Sequence, residues 1–392
     1  MLTDRGWAIL GAGMALVALW VMLGEVELLA AGGVAIAVTV LAALFVAAGR
    51  PRVDVVRRLS PPLVHEGDRI TVDATVTNRS GRAIHNVSLI DDVEHLGRAE
   101  FQVGALADGA SADASYQVIC RPRGVYRVGP TTVGVSDPFR LATVRSRLDR
   151  VDRLIVYPTV EDLTGFPGTR GRDPSMQASR PEFSHRGGED FFTLREYRYG
   201  DDLRRVHWPS SARRDELMIK QLETPWQSRA LVLLDPRPDA YQNDACFEKA
   251  VQGAASMVRH LSSTGFDADL WAGGTNAIRV ADYAAAMEAL ARVQTQPGLD
   301  LRGAAGRLAK VGRGGALILI SGVPDAVLLE VHRLFGREFG TTVVLSAAET
   351  ASSNEAAFHR VGAVTVRVAP GDSWTQAWSK AMDRSWGTRS AG

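Results

Sequence analysis

The chain reads as a multidomain protein with an N-terminal transmembrane helical hairpin, an antiparallel β-sandwich and a doubly wound α/β domain. Three observations predict this order. Two charge-free apolar runs fall within the first fifty residues, a stretch alternating apolar and polar residues follows, and strand and helix patterns alternate after Arg229. The corresponding segments are 1–52 for the hairpin, 53–150 for the sandwich, 151–228 for a connecting segment and 229–392 for the α/β domain.

The hairpin comes first. Trp7 to Leu23 and Leu28 to Ala48 contain no charged residue, and a helix of about 20 apolar residues spans roughly 30 Å of hydrocarbon. Both runs are apolar all round rather than along one stripe, which separates them from the core helices of a soluble protein. A cleaved signal peptide is the rival for Met1 to Leu23, but a second, longer span follows at once. Arg5 precedes the first span, and Arg50, Arg52, Arg57 and Arg58 follow the second, whereas the short turn carries only Glu25 and Glu27. By the positive-inside rule both ends are cytoplasmic, which predicts a multi-pass protein of the cytoplasmic membrane, anchored in the lipid bilayer through residues 7–48, with its soluble domains facing the cytoplasm.

The remainder, about 340 residues, exceeds one small core and suggests two folded units. A net charge of +1 with 23% charged residues gives no electrostatic support to a nucleic-acid partner. Cys120 and Cys246 stand far apart without metal-ligand spacing and read as reduced, buried thiols.

From Val53 to about Val144 the pattern is strand-like. Arg69 to Thr77 alternates, Asn78 to Gly81 supplies turn chemistry, Asn86 to Ile90 resumes the period of two, and further runs lie at Ala114 to Cys120 and Gly124 to Val135. Short strands without intervening helices indicate a sandwich. Asp162 to Gly188 is rich in Gly, Pro, Ser and Arg and reads as a solvated, mobile surface loop. Beyond it, strands are expected at Ala230 to Leu234, Asp267 to Ala272, Ala316 to Ile320, Thr342 to Leu345 and Val364 to Val368. Helices are expected at Cys246 to Leu261, Tyr283 to Val293 and Ala326 to Phe339. Parallel strands need crossover helices, and this alternation provides them. Trp374, Trp378 and Met382 share a helical spacing that suits core packing, or else a partner- or membrane-facing stripe.

The densest chemistry lies in Gly187 to Trp208, where Arg195, Glu196, Asp201, Asp202, Arg204 and His207 stand among Tyr197, Tyr199 and Trp208. Neither sign of charge dominates, which suits a network of Arg–carboxylate pairs shielded by aromatic faces. The core Gly200-Asp201-Asp202-Leu203-Arg204-Arg205-Val206-His207-Trp208, preceded by Leu194-Arg195-Glu196-Tyr197, closely resembles the signature of the bacterial membrane proteins of domain-of-unknown-function family 58. Gly124 to Leu141 also resembles that family's upstream elements, with Arg140 where the family usually has Gly. The resemblance implies a membrane hairpin, a β-sandwich and a von Willebrand A-like domain, and frequent pairing with MoxR-type AAA+ ATPases. It implies no enzymatic activity.

Three roles are open to the signature. It can clamp domains together, form a docking face, or act as a hydrolase or transferase site in which His207 pairs with Asp201 or Asp202 and Ser210 or Ser211 offers a hydroxyl. Von Willebrand A domains often hold a divalent cation on an Asp-x-Ser-x-Ser loop, but the loop here is Asp235-Pro236-Arg237-Pro238-Asp239, and Ser321 stands where an acidic ligand is expected. Arg237 would repel a metal ion, so no metal and no cofactor are expected, and Asp235 and Asp239 are expected to pair with Arg237 or to cap a helix. No phosphate loop, H-E-x-x-H or nucleophile-elbow motif occurs. The sequence therefore predicts a non-enzymatic membrane-anchored docking or assembly platform, partnered by a MoxR-type AAA+ ATPase as the resemblance implies. The alternatives are an enzyme using His207 and a metal-dependent ligand-binding receptor.

Overall fold

A computed structural model describes residues 2–47, 52–167, 192–196, 206, 208–214, 216–222, 229–308, 315–335 and 339–387. The chain divides into two compact units, Met1–Thr159 with Met287–Arg292, and Val160–Ala286 with Val293–Gly392.

The first unit opens with α1 (Asp4–Leu23) and α2 (Val26–Ala47), each long and apolar enough to cross a membrane. Thr3 caps α1 by accepting from the Gly6 N–H at 3.2 Å, and Gly24, in the left-handed region at φ 76°, closes it. The two helices meet at Gly13 and Gly32. A Cβ on Gly32 would lie 2.7 Å from the Gly13 carbonyl oxygen, so close backbone approach requires glycine there.

The sandwich strands are β1 (Val53–Ser60), β2 (Val64–His65), β3 (Arg69–Asn78), β4 (Ile84–Val93), β5 (Gly97–Leu106), β6 (Ser111–Ile119), β7 (Gly124–Val128), β8 (Thr131–Ser136), β9 (Thr143–Leu148) and β10 (Asp152–Tyr157). One sheet has the order β1-β3-β6, and the other β2-β10-β7-β4-β8-β9 with β5 on β4; β2 and β10 are the parallel pair. Alternating residues of both sheets fill the space between them. Ile70, Val72 and Val118 from one sheet meet Val93, Val128 and Val156 from the other, and Val76 likewise meets Leu89 and Val133.

Four sequence expectations change here. The sandwich does not stop at 150, because Asp152–Tyr157 pairs with β7. The run from Gly124 to Val135 is two strands, broken at Gly129-Pro130, since proline has no N–H for the ladder. Strand β5 replaces a segment that had no strand assignment, and its half-exposed alternation was too polar to stand out. Finally, Arg57 is not a free juxtamembrane cation. It is buried between the sheets, with its Nε 3.0 Å from Asp91 and its Nη1 2.8 Å from Asp152, while the Tyr116 hydroxyl donates to Asp91 at 2.8 Å. Burial, reinforced by the Asp91 charge, pushes the Tyr116 hydroxyl well above its ordinary range.

The second unit contains a hairpin of β11 (Phe192–Glu196) and β12 (Met218–Leu222) around α3 (Trp208–Arg214), and a six-stranded sheet. The sheet elements are β13 (Arg229–Leu234), α4 (Asp244–Ser263), β14 (Asp267–Trp271), β15 (Ile278–Arg279), α5 (Tyr283–Arg292), α6 (Leu301–Leu308), β16 (Ala316–Ser321), α7 (Ala326–Phe335), β17 (Thr341–Ala347), α8 (Glu355–Arg360), β18 (Val364–Val368) and α9 (Trp374–Gly387). Strand order is β15-β14-β13-β16-β17-β18, all parallel except β15.

Leu231, Leu233, Leu317 and Leu319 bury one face of the sheet against α6 and α7. The pleat turns Val232, Leu234, Ile318 and Ile320 to the opposite face, and α4 packs on β13, β14, β16 and β17. Trp374, Trp378 and Met382 are core residues, 1%, 0% and 5% exposed. The start of the expected loop is packed rather than solvated. Leu163 is buried, Phe166 lies among His260, Phe266 and Trp378, and the Trp378 indole N–H donates to the Thr164 carbonyl at 3.0 Å. Its remainder, 168–188, lies outside the described residues.

Candidate functional site

In a parallel sheet with helices on both faces, the crevice outside the carboxyl ends of two strands whose chains leave in opposite directions is the favoured ligand position. Here that place is the junction of β13 and β16, because the chain leaves β13 for β14 on one side and later returns to β16 on the other. Asp235 and Ser321 stand at these two strand ends, and both are fully buried.

The loops are stitched together by backbone. The Asp235 N–H donates to Ile320 at 2.8 Å, and the Val323 N–H donates to Ala240 at 2.7 Å. Gly322 allows this approach, since a Cβ there would sit 2.2 Å from the Ala240 carbonyl oxygen.

Arg237 lies across the mouth of the crevice. Its Nε and Nη2 donate to the two Asp235 oxygens at 3.0 and 2.7 Å, and its Nη1 and Nη2 donate to Asp325 at 3.0 and 3.2 Å. Asp235 also accepts from the Arg237 N–H at 3.1 Å and the Ser321 hydroxyl at 3.1 Å. Asp325 additionally caps α7 by accepting from the Leu328 N–H at 2.8 Å. The Tyr241 hydroxyl donates to the Asp235 carbonyl. Burial works against the Arg237 charge, but the hydrogen bonds and charges of Asp235 and Asp325 outweigh it and hold the guanidinium more firmly protonated than usual. Burial pushes the Tyr241 hydroxyl well above its ordinary value, and the Asp235 charge adds to this.

The arrangement is a fork-to-fork ion pair with every guanidinium nitrogen engaged. Asp235, Arg237 and Ser321, singled out in the sequence, are thus brought together. Asp239 is not with them; it lies exposed in the 3-10 turn Pro238–Ala240, and the second carboxylate on Arg237 is Asp325. The signal for Asp325 was its place between Pro324 and the apolar start of α7, an N-cap pattern. Nothing in the sequence marked Tyr241. Among the described residues no group of three or more His, Cys, Asp or Glu side chains is placed to hold a metal ion.

Of the signature residues, Arg195 and Glu196 end β11 opposite Ile219 and Met218. Trp208 begins α3 and is 67% exposed. Ser211 is buried, and its hydroxyl accepts from the Met218 N–H at 2.9 Å, which ties α3 to β12. Tyr197, Gly200, Asp201, Asp202, Leu203, Arg204 and His207 lie outside the described residues.

A second charged cluster holds the start of this unit. One Glu161 oxygen accepts from Lys249 Nζ at 3.0 Å, and the other accepts from the Ser373 hydroxyl and, at 3.1 Å, the Thr375 N–H. Burial alone would raise the Glu161 carboxyl, yet these donors bring it from 4.5 down to about 2.

Comparison with known proteins finds relatives of parts of the chain. Over 230 residues the chain is 26% identical to "Uncharacterized protein YeaD" of Bacillus subtilis (strain 168), covering 55% of this chain and 54% of that protein. The chain thus spans about half the length of the curated relative it matches. Among solved structures it is similar to the CARDB domain of the PF1109 protein from Pyrococcus furiosus, in complex with di-metal ions, at 13% identity over 28% of this chain and 96% of that one, with a TM-score of 0.21. It is also similar to red sea bream transglutaminase, at 17% identity over 28% of this chain and 15% of that one, with a TM-score of 0.21. At TM-scores this low neither likeness bears on function. Residues 193–375, which run from the β11 hairpin through the whole α/β sheet, match the family described as "Protein of unknown function DUF58".

Proposed function

We propose that the chain is a membrane-anchored, non-enzymatic docking or assembly platform of the cell membrane, multi-pass, with both units on the cytoplasmic side. In this reading its α/β unit is von Willebrand A-like and works with a MoxR-type AAA+ ATPase. The single observation that carries the non-enzymatic reading is the charge pairing at the β13–β16 crevice. Both Asp235 oxygens are committed to Arg237 and Ser321, so the most favoured ligand position of the sheet presents a closed surface of fixed charges. A surface of this kind suits recognition of another protein. The ATPase partner rests on the family resemblance.

The test is capture of the full, tagged chain from native membranes with a non-hydrolysable ATP analogue. An AAA+ ATPase that co-purifies with the nucleotide and is released without it is the expected result. The reading gives way to a hydrolase or transferase if no ATPase is captured while His207→Ala, with the fold intact, abolishes the cellular phenotype.

A further inference from the structure

We propose that the bilayer-facing end of the sandwich is a binding site for anionic phospholipid headgroups, built from Arg79 and Arg82 of the β3–β4 turn with Arg52 and His85 beside them. Arg79 and Arg82 lie some thirty residues past the hairpin in sequence, and tertiary structure returns them to it. The Arg52 N–H donates to the Ser80 hydroxyl at 3.0 Å, and the Arg79 N–H donates to the Arg52 carbonyl at 2.7 Å. This sets the turn at the exit of α2. The Arg82 guanidinium lies 5.9 Å from the ring centroid of Phe45, which belongs to α2 and is 50% exposed. A cleft beside them is lined by Phe45, Val46, Arg82, His85, Ser136 and Val144.

Cations dominate the chemistry of this end; the carboxylate beside the turn, Asp108, accepts from the Gly81 N–H at 2.9 Å. Arg52, Arg79 and Arg82 are all exposed, and among the described residues none of them joins an ion pair. Exposed arginines usually find a carboxylate or water; three gathered where a membrane span ends find lipid phosphate, which matches the guanidinium fork. Phe45 and the aliphatic stem of Arg82 sit at the boundary of the hydrocarbon, the depth at which aromatic rings and long cationic side chains anchor.

The start of α1 repeats the pairing of ring and cation. Thr3 bonds to the Arg140 and Leu141 carbonyls, which places the loop 137–141 at the same end. There Phe139 is 69% exposed and is followed by the exposed Arg140. The proposal rests on α1 and α2 crossing the membrane.

The test uses the full chain in nanodiscs of phosphatidylglycerol and phosphatidylcholine in equal amounts. After extraction, the two lipids retained by the protein are quantified. The wild type should be enriched in phosphatidylglycerol, and Arg79→Ala with Arg82→Ala should reduce the enrichment by roughly fivefold per arginine removed. Arg79→Lys with Arg82→Lys should retain most of it, which separates charge from disturbed folding. Equal enrichment in the wild type and the double alanine protein overturns the proposal alone. Failure of the wild type to float with neutral phosphatidylcholine vesicles overturns the membrane anchor, and the proposal with it.

Discussion

Arg237 shows how a single residue sets the character of a site. A position that would otherwise hold two carboxylates without a cation instead holds a guanidinium bonded to Asp235 and Asp325. Removing it by Arg237→Ala leaves the fully buried Asp235 without its cation, at a cost of roughly 3–5 kcal/mol at neutral pH. Denaturant unfolding of the full chain in detergent at neutral pH measures the loss. Because the guanidinium covers the oxygens a hard cation would need, Mg²⁺ should produce no saturable rise in melting temperature. A saturable rise that vanishes in Asp235→Ala would show a metal site.

Glu161 makes the pH prediction sharper. Its folded value of about 2 lies below its ordinary 4.5, so its contribution is complete above 4.5 and is lost as pH falls from there toward 2. The shift corresponds to roughly 3 kcal/mol, and Glu161→Gln should remove about that much at pH 7 and little near pH 2.

At the scale of elements, the α/β unit depends on a short strap. Val160 to Phe166 has no regular structure, yet it is held by α4 through Lys249, by Ser373 just before α9, and by α9 through Thr375 and Trp378. Trp378 is 0% exposed, with rings of Phe166 and His260 against it. Trp378→Ala should therefore destabilise the chain by about 3–5 kcal/mol, read as a lower denaturant midpoint, because a large cavity opens and two backbone carbonyls lose their donor. The sequence marked the helical spacing of Trp374, Trp378 and Met382 but left their direction open. Trp378 packs on a segment more than two hundred residues away and Trp374 on α4, placements that periodicity cannot register.

At the scale of the whole molecule, the proposed orientation rests on the cations around the hairpin. With Arg57 committed to Asp91 and Asp152, the exposed positive charge among the described residues at this end rests on Arg5, Arg52 and Arg58, joined in space by Arg79 and Arg82. The acidic turn, Glu25 and Glu27, still contrasts with both flanks. A reporter that fluoresces only in the cytoplasm, fused after residue 392, should be active. Activity instead from a reporter that works only outside the membrane would reverse the orientation and remove the proposed ATPase contact.

The sequence by itself determined the two apolar helices, most of the sandwich strands and the parallel core of the α/β sheet. These are set by local periodicity and length, which act within one segment. It also pointed to Asp235, Arg237 and Ser321, through the metal-loop pattern that the family resemblance implied for this loop. Tertiary structure decided which charges meet: Asp325 rather than Asp239 on Arg237, Asp91 and Asp152 on Arg57, and Lys249 on Glu161. Ion pairs of this kind join residues far apart in the chain. Their partners are selected by where strand order and loop closure bring each carboxylate, and no spacing along the sequence encodes that distance.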